Sequence, residues 1–371
     1  MSQTTEGGSS RNKLLTLMIV VFLIGAPAAA LRAFCIGHSC DEEESVTSEI
    51  PFCSLPSSVR EPISAGFEGE LHRSPDILGV TQDDVFVRGG TAFPEGEPAP
   101  QWPSLAPISR RVPLAFSGTG VDPAATVPDE TRLDAVAPTL SEVIDFRRPN
   151  PQVRSGQAIE GLASGDHPSL VVEVVMKNTG SGDLEAAPDD WPNLRALVES
   201  GPGTLDADAG SLPLDPAAIM TTVGTGGLPH QHGIVGTFVR TNEGRVVRAW
   251  GPHTPVHIIA TLPDDLDERL DQEPLVGLIR TDVSDTGLIG GNWYVDVDKD
   301  TIATNDRDPA RSVTKMLDSG WGDDDVPDVL AVALEGDISA MDKDLGRIED
   351  ALAAADSWAL AVTATGTNAA S

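Results

Sequence analysis

The chain has 371 residues, 40% of them hydrophobic, and carries 25 Lys and Arg against 57 Asp and Glu, which gives a formal net charge of −32. This length and apolar content predict a large packed core, in one big α/β domain or in two ordinary ones. So acidic a surface repels nucleic acid and anionic lipid headgroups, which argues against a DNA- or RNA-binding role. The same negative charge also disfavours electrostatic binding of phosphate unless metal ions lie between the protein and the phosphate.

The N-terminus has the pattern of a targeting or membrane segment. Residues 1–13 form a polar tail with Arg11 and Lys13, and residues 14–31 are apolar without a charge. This run predicts an uncleaved transmembrane anchor or a signal peptide, with "AAA" at 28–30 as the cleavage site. Because the basic flank precedes it, we expect a single-pass cell-membrane protein whose C-terminal part lies outside the cytoplasm, or a secreted protein if the segment is cleaved.

All three cysteines follow the apolar segment, in a predicted juxtamembrane linker that spans residues 32–74. Cys35, Cys40 and Cys53 are disulfide candidates, since thiols outside the cytoplasm oxidise. An odd number leaves one thiol over, and the sequence does not decide which pair forms. A zinc site that adds His38 is the alternative, but its spacing matches no familiar zinc pattern.

Apolar runs separated by turn residues predict alternating strands and helices in the domain that follows. Strands are expected at 76–80, 112–118, 169–177, 256–262, 275–281, 329–336 and 358–366. Helices are expected at 131–146, 189–201 and 341–356. The β-branched run at 169–177 is typical of a central parallel strand. The alternation predicts an α/β fold with a mostly parallel sheet covered by helices.

Two neighbouring segments carry a family resemblance. They read "WPNLRALVESG" (191–201) and "TGGLPHQHGIVG" (225–236). In order and spacing they resemble the type I phosphodiesterase and nucleotide pyrophosphatase branch of the alkaline phosphatase superfamily. The signature turn of that branch corresponds here to Thr225, Gly226, Pro229, His232 and Gly233. The resemblance implies an alkaline-phosphatase-like three-layer sandwich over residues 75–368.

The segments of the family occur in an unusual order. Residues 75–160, which include "RVPLAFSGTGVDPAATVPDETRLDAVAPTL", resemble the segment that closes the family's catalytic domain. Residues 165–368 resemble its opening and middle segments. We therefore expect a circular permutation, which proteins tolerate when their termini lie close together at the surface.

The catalytic positions implied by the resemblance are mostly vacant. The family has Asp-Gly after its first strand, whereas this chain has Met176 and Lys177. The position of the nucleophile falls on Pro216, which offers no nucleophile. The remaining catalytic candidates are Thr221, Thr222 and Asp215.

Few ligands remain for the two metal ions that the family uses. The candidates are Asp83, Asp84 and Asp337, and Met341 stands where a His is expected. A zinc or manganese cofactor is therefore expected only if the chain retains activity, and otherwise no cofactor is expected.

Three functions stay open from the sequence. The first is a fold lookalike that serves as an assembly or surface scaffold protein, and the remaining two are more specific. One is a membrane-anchored, extracytoplasmic domain that lacks catalysis and acts in binding or regulation, with an envelope protein or a small phosphorylated ligand as its partner. The other is an active metal-dependent phosphoesterase with a non-standard carboxylate site.

Overall fold

The computed structural model describes residues 51–75, 110–251, 258–291, 301–304 and 308–367. The apolar segment 14–31, the predicted strand 76–80 and the candidates Cys35, Cys40, Asp83 and Asp84 lie outside these ranges. None of the helices in the described ranges is long and apolar enough to cross a membrane. Cys53 is exposed and forms no disulfide with a described residue.

Within the described ranges, nine strands form a large sheet and a separate hairpin. They are β1 (Arg111–Gly118), β2 (Leu170–Met176), β3 (Gly203–Asp208), β4 (Phe238–Arg240), β5 (Val246–Arg248), β6 (Val276–Arg280), β7 (Thr301–Thr304), β8 (Asp328–Leu334) and β9 (Trp358–Ala364). The large sheet has the order β3-β1-β9-β2-β8-β6-β7. Within this sheet, β1 runs antiparallel to the six other strands, which are parallel to one another. The described chain is thus an α/β structure with a large, mostly parallel central sheet.

The central strands β2 and β8 are buried over their whole length, which indicates that both faces of the sheet are covered. The α-helices are α1 (Ser57–Ala65), α2 (Val136–Val143), α3 (Ser181–Ala186), α4 (Pro192–Ser200), α5 (Pro216–Thr225), α6 (Pro229–His232), α7 (Leu262–Arg269), α8 (Pro309–Leu317) and α9 (Ile338–Leu352). Short 3-10 helices lie at Phe52–Ser54, Leu133–Ala135, Pro151–Val153 and Val283–Leu288.

Local sequence accounts for where several helices begin. Asp337 is the N-cap of α9, and its carboxylate accepts a hydrogen bond from the Ala340 amide at 2.8 Å. Asp342, within α9, accepts the amides of Asn193 and Leu194 at 3.1 and 2.9 Å. Since those amides belong to the first turn of α4, one buried carboxylate joins the two helices.

Most of the predicted elements are confirmed, and the prediction of one strand is wrong. The predictions at 112–118, 169–177, 275–281, 329–336 and 358–366 correspond to β1, β2, β6, β8 and β9. In the described part of the predicted strand 256–262, residues 258–261 form no strand, and Leu262 begins α7. Thr261 caps that helix by accepting the Asp264 amide at 3.2 Å. The capping signal therefore outweighed the apolar run.

Candidate functional site

The carboxyl ends of three parallel strands meet around one lysine. Lys177 directly follows β2, Thr281 follows β6 and Glu335 follows β8. Lys177 Nζ lies 2.8 Å from Thr281 Oγ1 and 3.4 Å from Glu335 Oε2. It also lies 3.1 Å from Asp285 Oδ1. Sites in open α/β sheets form at this edge, and we call these four residues the Lys177 centre.

Asp285 is held rigidly within the Lys177 centre. Its Oδ2 accepts the amides of Thr281 and Asp282, each at 2.9 Å. Its Oδ1 is buried and faces the Lys177 ammonium, and no other donor among the described residues reaches it. An ionised carboxylate in so buried a place requires a cation beside it.

A second ion pair adjoins this centre. Asp282 caps the 3-10 helix Val283–Leu288 and accepts a hydrogen bond from Arg248 at 2.7 Å. Burial alone would raise the pKa of Asp282, but the Ser284 amide and hydroxyl and the Arg248 guanidinium outweigh it and lower that pKa to about 2. Asp282 is therefore ionised at neutral pH.

The signature turn is a folded scaffold. Gly226 ends α5 with φ = 73°, and Gly233 ends α6 with φ = 77°. The Ile234 amide donates to His232 Nδ1 at 3.1 Å, so the ring proton sits on Nε2. His232 Nε2 in turn donates to Thr222 Oγ1 at 3.1 Å. The fully buried His232 thus joins the turn to α5.

The catalytic candidates Thr221 and Thr222 are closed to solvent. Both are fully buried on α5. The Thr221 hydroxyl donates to the Ala217 carbonyl at 2.7 Å and accepts from Trp250 Nε1 at 3.3 Å. A hydroxyl engaged in this way within a helix is not presented to a substrate.

Asp215 is the N-cap of α5 and is also buried. Its Oδ1 accepts hydrogen bonds from the Ala217 amide at 3.0 Å and the Thr237 hydroxyl at 2.9 Å. Burial raises the pKa of Asp215, although these hydrogen bonds oppose the effect. Its contacts are those of a helix cap.

The contacts of Asp337 differ from those of the Lys177 centre. Its side chain is exposed and caps α9. Within the described ranges, no group of three or more His, Cys, Asp and Glu side chains is arranged to hold a metal ion. The described metal candidate Asp337 is therefore not part of a metal-binding group within those ranges, whereas Thr221, Thr222 and the cap Asp215 share helix α5.

The sequence reasoning did not assign a site to Thr281, Asp285 and Glu335. A usable signal existed, since Thr281 and Glu335 lie at the ends of predicted strands, where sites of α/β sheets form. The pairing of Asp285 with Lys177 had no sequence signal, because 108 positions separate the two residues (285 − 177).

A second buried charge cluster lies in the interior. Arg148 and Arg154 both donate to Asp265 Oδ2 at 2.8 Å and to the Ala260 carbonyl at 3.0 Å. Glu173, in the middle of β2, is buried between Ala331 and Ala361 of the neighbouring strands. Burial raises the pKa of Glu173 to about 8, with partial relief from the charge of Arg148.

Comparison with known proteins assigns no relative to this arrangement. No protein-family model matches the chain, and no curated protein is significantly similar to it.

Proposed function

We propose that this chain is an extracytoplasmic domain with an alkaline-phosphatase-like, three-layer α/β fold that binds a partner and does not hydrolyse phosphate esters. The observation that carries the proposal is the position of the Lys177 ammonium, within 3.4 Å of Thr281, Asp285 and Glu335 oxygens at the carboxyl edge of the sheet. In the resembling family this is the edge where metal ions stabilise the attacked phosphate.

The Lys177 ammonium supplies the positive charge that the buried Asp285 carboxylate requires, and it lies beside the half-exposed Glu335 as well. A divalent cation placed among the same oxygens would stand within a few ångströms of the ammonium, and like charges at such distances repel strongly in a buried setting. Lys177 therefore favours a site in which the chain provides its own cation. Such a site can support binding, but it leaves no metal to activate a nucleophile.

The buried hydroxyls also support a site without catalysis. The hydroxyls of Thr221 and Thr222 are engaged in hydrogen bonds within the domain, to Ala217, Trp250 and His232. Nucleophilic catalysis needs a hydroxyl within reach of both a base and the substrate. With Pro216 at the family's nucleophile position, we infer a non-catalytic member of that architecture.

The proposal includes the location of the protein. The apolar segment 14–31 would anchor the chain in the cell membrane, or direct its secretion if it is cleaved. The partner would be an envelope protein or a small phosphorylated ligand. Of these two, the formal charge of −32 favours an envelope protein whose surface carries positive charge, because a phosphorylated ligand is itself an anion.

Hydrolysis of an aryl phosphodiester by the full chain tests the proposal, with added zinc or manganese and again with a chelator. We expect no turnover above the protein-free blank in any condition. Metal-dependent turnover that is lost in Asp215→Asn or Asp337→Asn would instead establish the active phosphoesterase.

A further inference from the structure

The described N-terminal segment, residues 51–75, is docked on the domain. Its inward side chains Leu55 and Val59 are buried. The Leu212 amide donates to the Pro62 carbonyl at 2.9 Å. Gly66 approaches so closely that a Cβ at this position would lie 1.9 Å from the Leu212 carbonyl oxygen. The segment is therefore packed against the body of the protein.

This segment lies at the same edge of the sheet as the Lys177 centre. Arg110 donates to the Ser58 carbonyl at 2.7 Å. The next residue, Arg111, pairs with Asp208, the last residue of β3. Since β1 is antiparallel to the other strands, its beginning lies at their carboxyl edge. Residues 51–75 and Lys177 thus share one end of the domain.

The outward side of the segment presents three large apolar side chains among exposed polar ones such as Glu61 and Glu70. Phe52, Phe67 and Leu71 are 38%, 52% and 40% exposed. They are three of the seven large hydrophobic side chains that are exposed among the described residues, although the segment has only 25 residues. Its two Arg and three Glu give a net charge of −1 (2 − 3), against −32 for the whole chain. Exposed apolar side chains gathered in one segment mark an interaction surface.

The sequence places this surface close to the predicted anchor. Only 19 residues, 32–50, lie between the end of the apolar run at residue 31 and the first described residue, residue 51. Whatever its conformation, a chain of that length spans at most about 65 Å. An anchored chain would therefore keep residues 51–75 within that distance of the membrane.

We propose that the outward side of residues 51–75 rests on the bilayer, with Phe52, Phe67 and Leu71 in contact with lipid. The inference rests on the membrane location in the proposed function. Aromatic and aliphatic side chains partition into the interfacial region of a bilayer. The acidic chain would prefer zwitterionic lipid, since anionic headgroups repel it. Docking in this way turns the Lys177 centre toward the membrane.

A spin label on the native thiol of Cys53, next to Phe52, reports on this contact. The full chain with Cys35→Ser and Cys40→Ser would be labelled and reconstituted in phosphatidylcholine vesicles. Collisions of the label with oxygen and with a water-soluble nickel chelate would then be measured. The control carries Cys53→Ser and Asp324→Cys, since Asp324 is exposed and precedes β8 at the opposite edge of the sheet.

We expect the ratio of oxygen to chelate collisions to be several-fold higher at position 53 than at 324. The variant Phe52→Ser, Phe67→Ser and Leu71→Ser should lose this difference while the chain still floats with the vesicles. Equal ratios at 53 and 324 in floating protein would overturn the docking and leave the anchor intact. A chain that does not float would overturn the anchor and the docking together. Spin–spin broadening that unlabelled protein dilutes away would show a second copy at this surface, which also overturns lipid contact.

Discussion

Lys177 Nζ lies 3.1 Å from Asp285 Oδ1, and both side chains are almost completely buried, at 6% and 0% exposure. The pair joins the end of β2 to the 3-10 helix that follows β6. Glu335, the other carboxylate beside Lys177, is half exposed, so its charge depends less on the ammonium. The protein thus neutralises the buried Asp285 carboxylate with its own Lys177 ammonium. The pair lies at the edge of the sheet where α/β proteins form their sites.

Replacing Lys177 by Met should destabilise the domain by about 3–5 kcal/mol, because it leaves Asp285 buried without a cation. Urea unfolding followed by circular dichroism measures the loss. Adding Asp285→Asn should recover part of it, since the remaining buried group is then neutral. Lys343→Met, at an exposed position of α9, should change the free energy of unfolding by about 0.5 kcal/mol or less. Equal effects at 177 and 343 would contradict the buried pair.

Glu173 should make the protein less stable as the pH rises. Its pKa is raised from 4.5 to about 8 in the folded chain. Between these values the folded state keeps a proton that the unfolded state releases, so the free energy of unfolding falls with increasing pH. The loss is complete above the folded pKa and is on the order of 4 kcal/mol.

Denaturant unfolding of the wild type and of Glu173→Gln checks this pH dependence. It is measured at a series of pH values between 5 and 9, a window set by the shift in pKa. The amide cannot ionise, so the variant should lack this part of the pH dependence. Parallel curves for the two proteins would show that Glu173 does not titrate in this range.

Thr222 and His232 should be energetically coupled. His232→Phe leaves the Thr222 hydroxyl buried without its imidazole partner, and Thr222→Val removes the hydroxyl that lies 3.1 Å from Nε2. Each change should cost about 1–3 kcal/mol. A double-mutant cycle from urea unfolding should give a coupling of about 0.5–3 kcal/mol, and additive costs would argue against the hydrogen bond.

Gly226 should tolerate alanine worse than Gly244 does. Both have positive φ angles, 73° and 77°, so alanine is strained at either position. A Cβ at Gly226 would lie 2.8 Å from Pro138 Cδ, whereas nothing lies within 4 Å of one at Gly244. Gly226→Ala should therefore cost about 1–3 kcal/mol more than Gly244→Ala. Thermal unfolding of the two variants measures the difference, and equal midpoints would remove the packing role assigned to Gly226.

The sequence by itself determined five of the seven strands of the central sheet, because apolar, largely β-branched runs such as 170–176 have few stable alternatives to burial on both faces. The edge strands β3 and β7 were not predicted. It also determined the turn at Gly226 and Gly233, where the chain needs left-handed backbone. Helix α7 was missed because the apolar run before Thr261 resembles a strand, while a local cap decides the outcome.

Only the tertiary structure decided what surrounds Lys177. Its partners Thr281, Asp285 and Glu335 follow two other strands. They lie around one ammonium because the sheet places the strands in the order β2-β8-β6. The same holds for Thr222, which is a candidate nucleophile in the sequence and a buried hydrogen-bond partner of His232 in the fold. Strand periodicity is local and can be read along the chain, whereas charge pairing and exposure are set by contacts between distant segments.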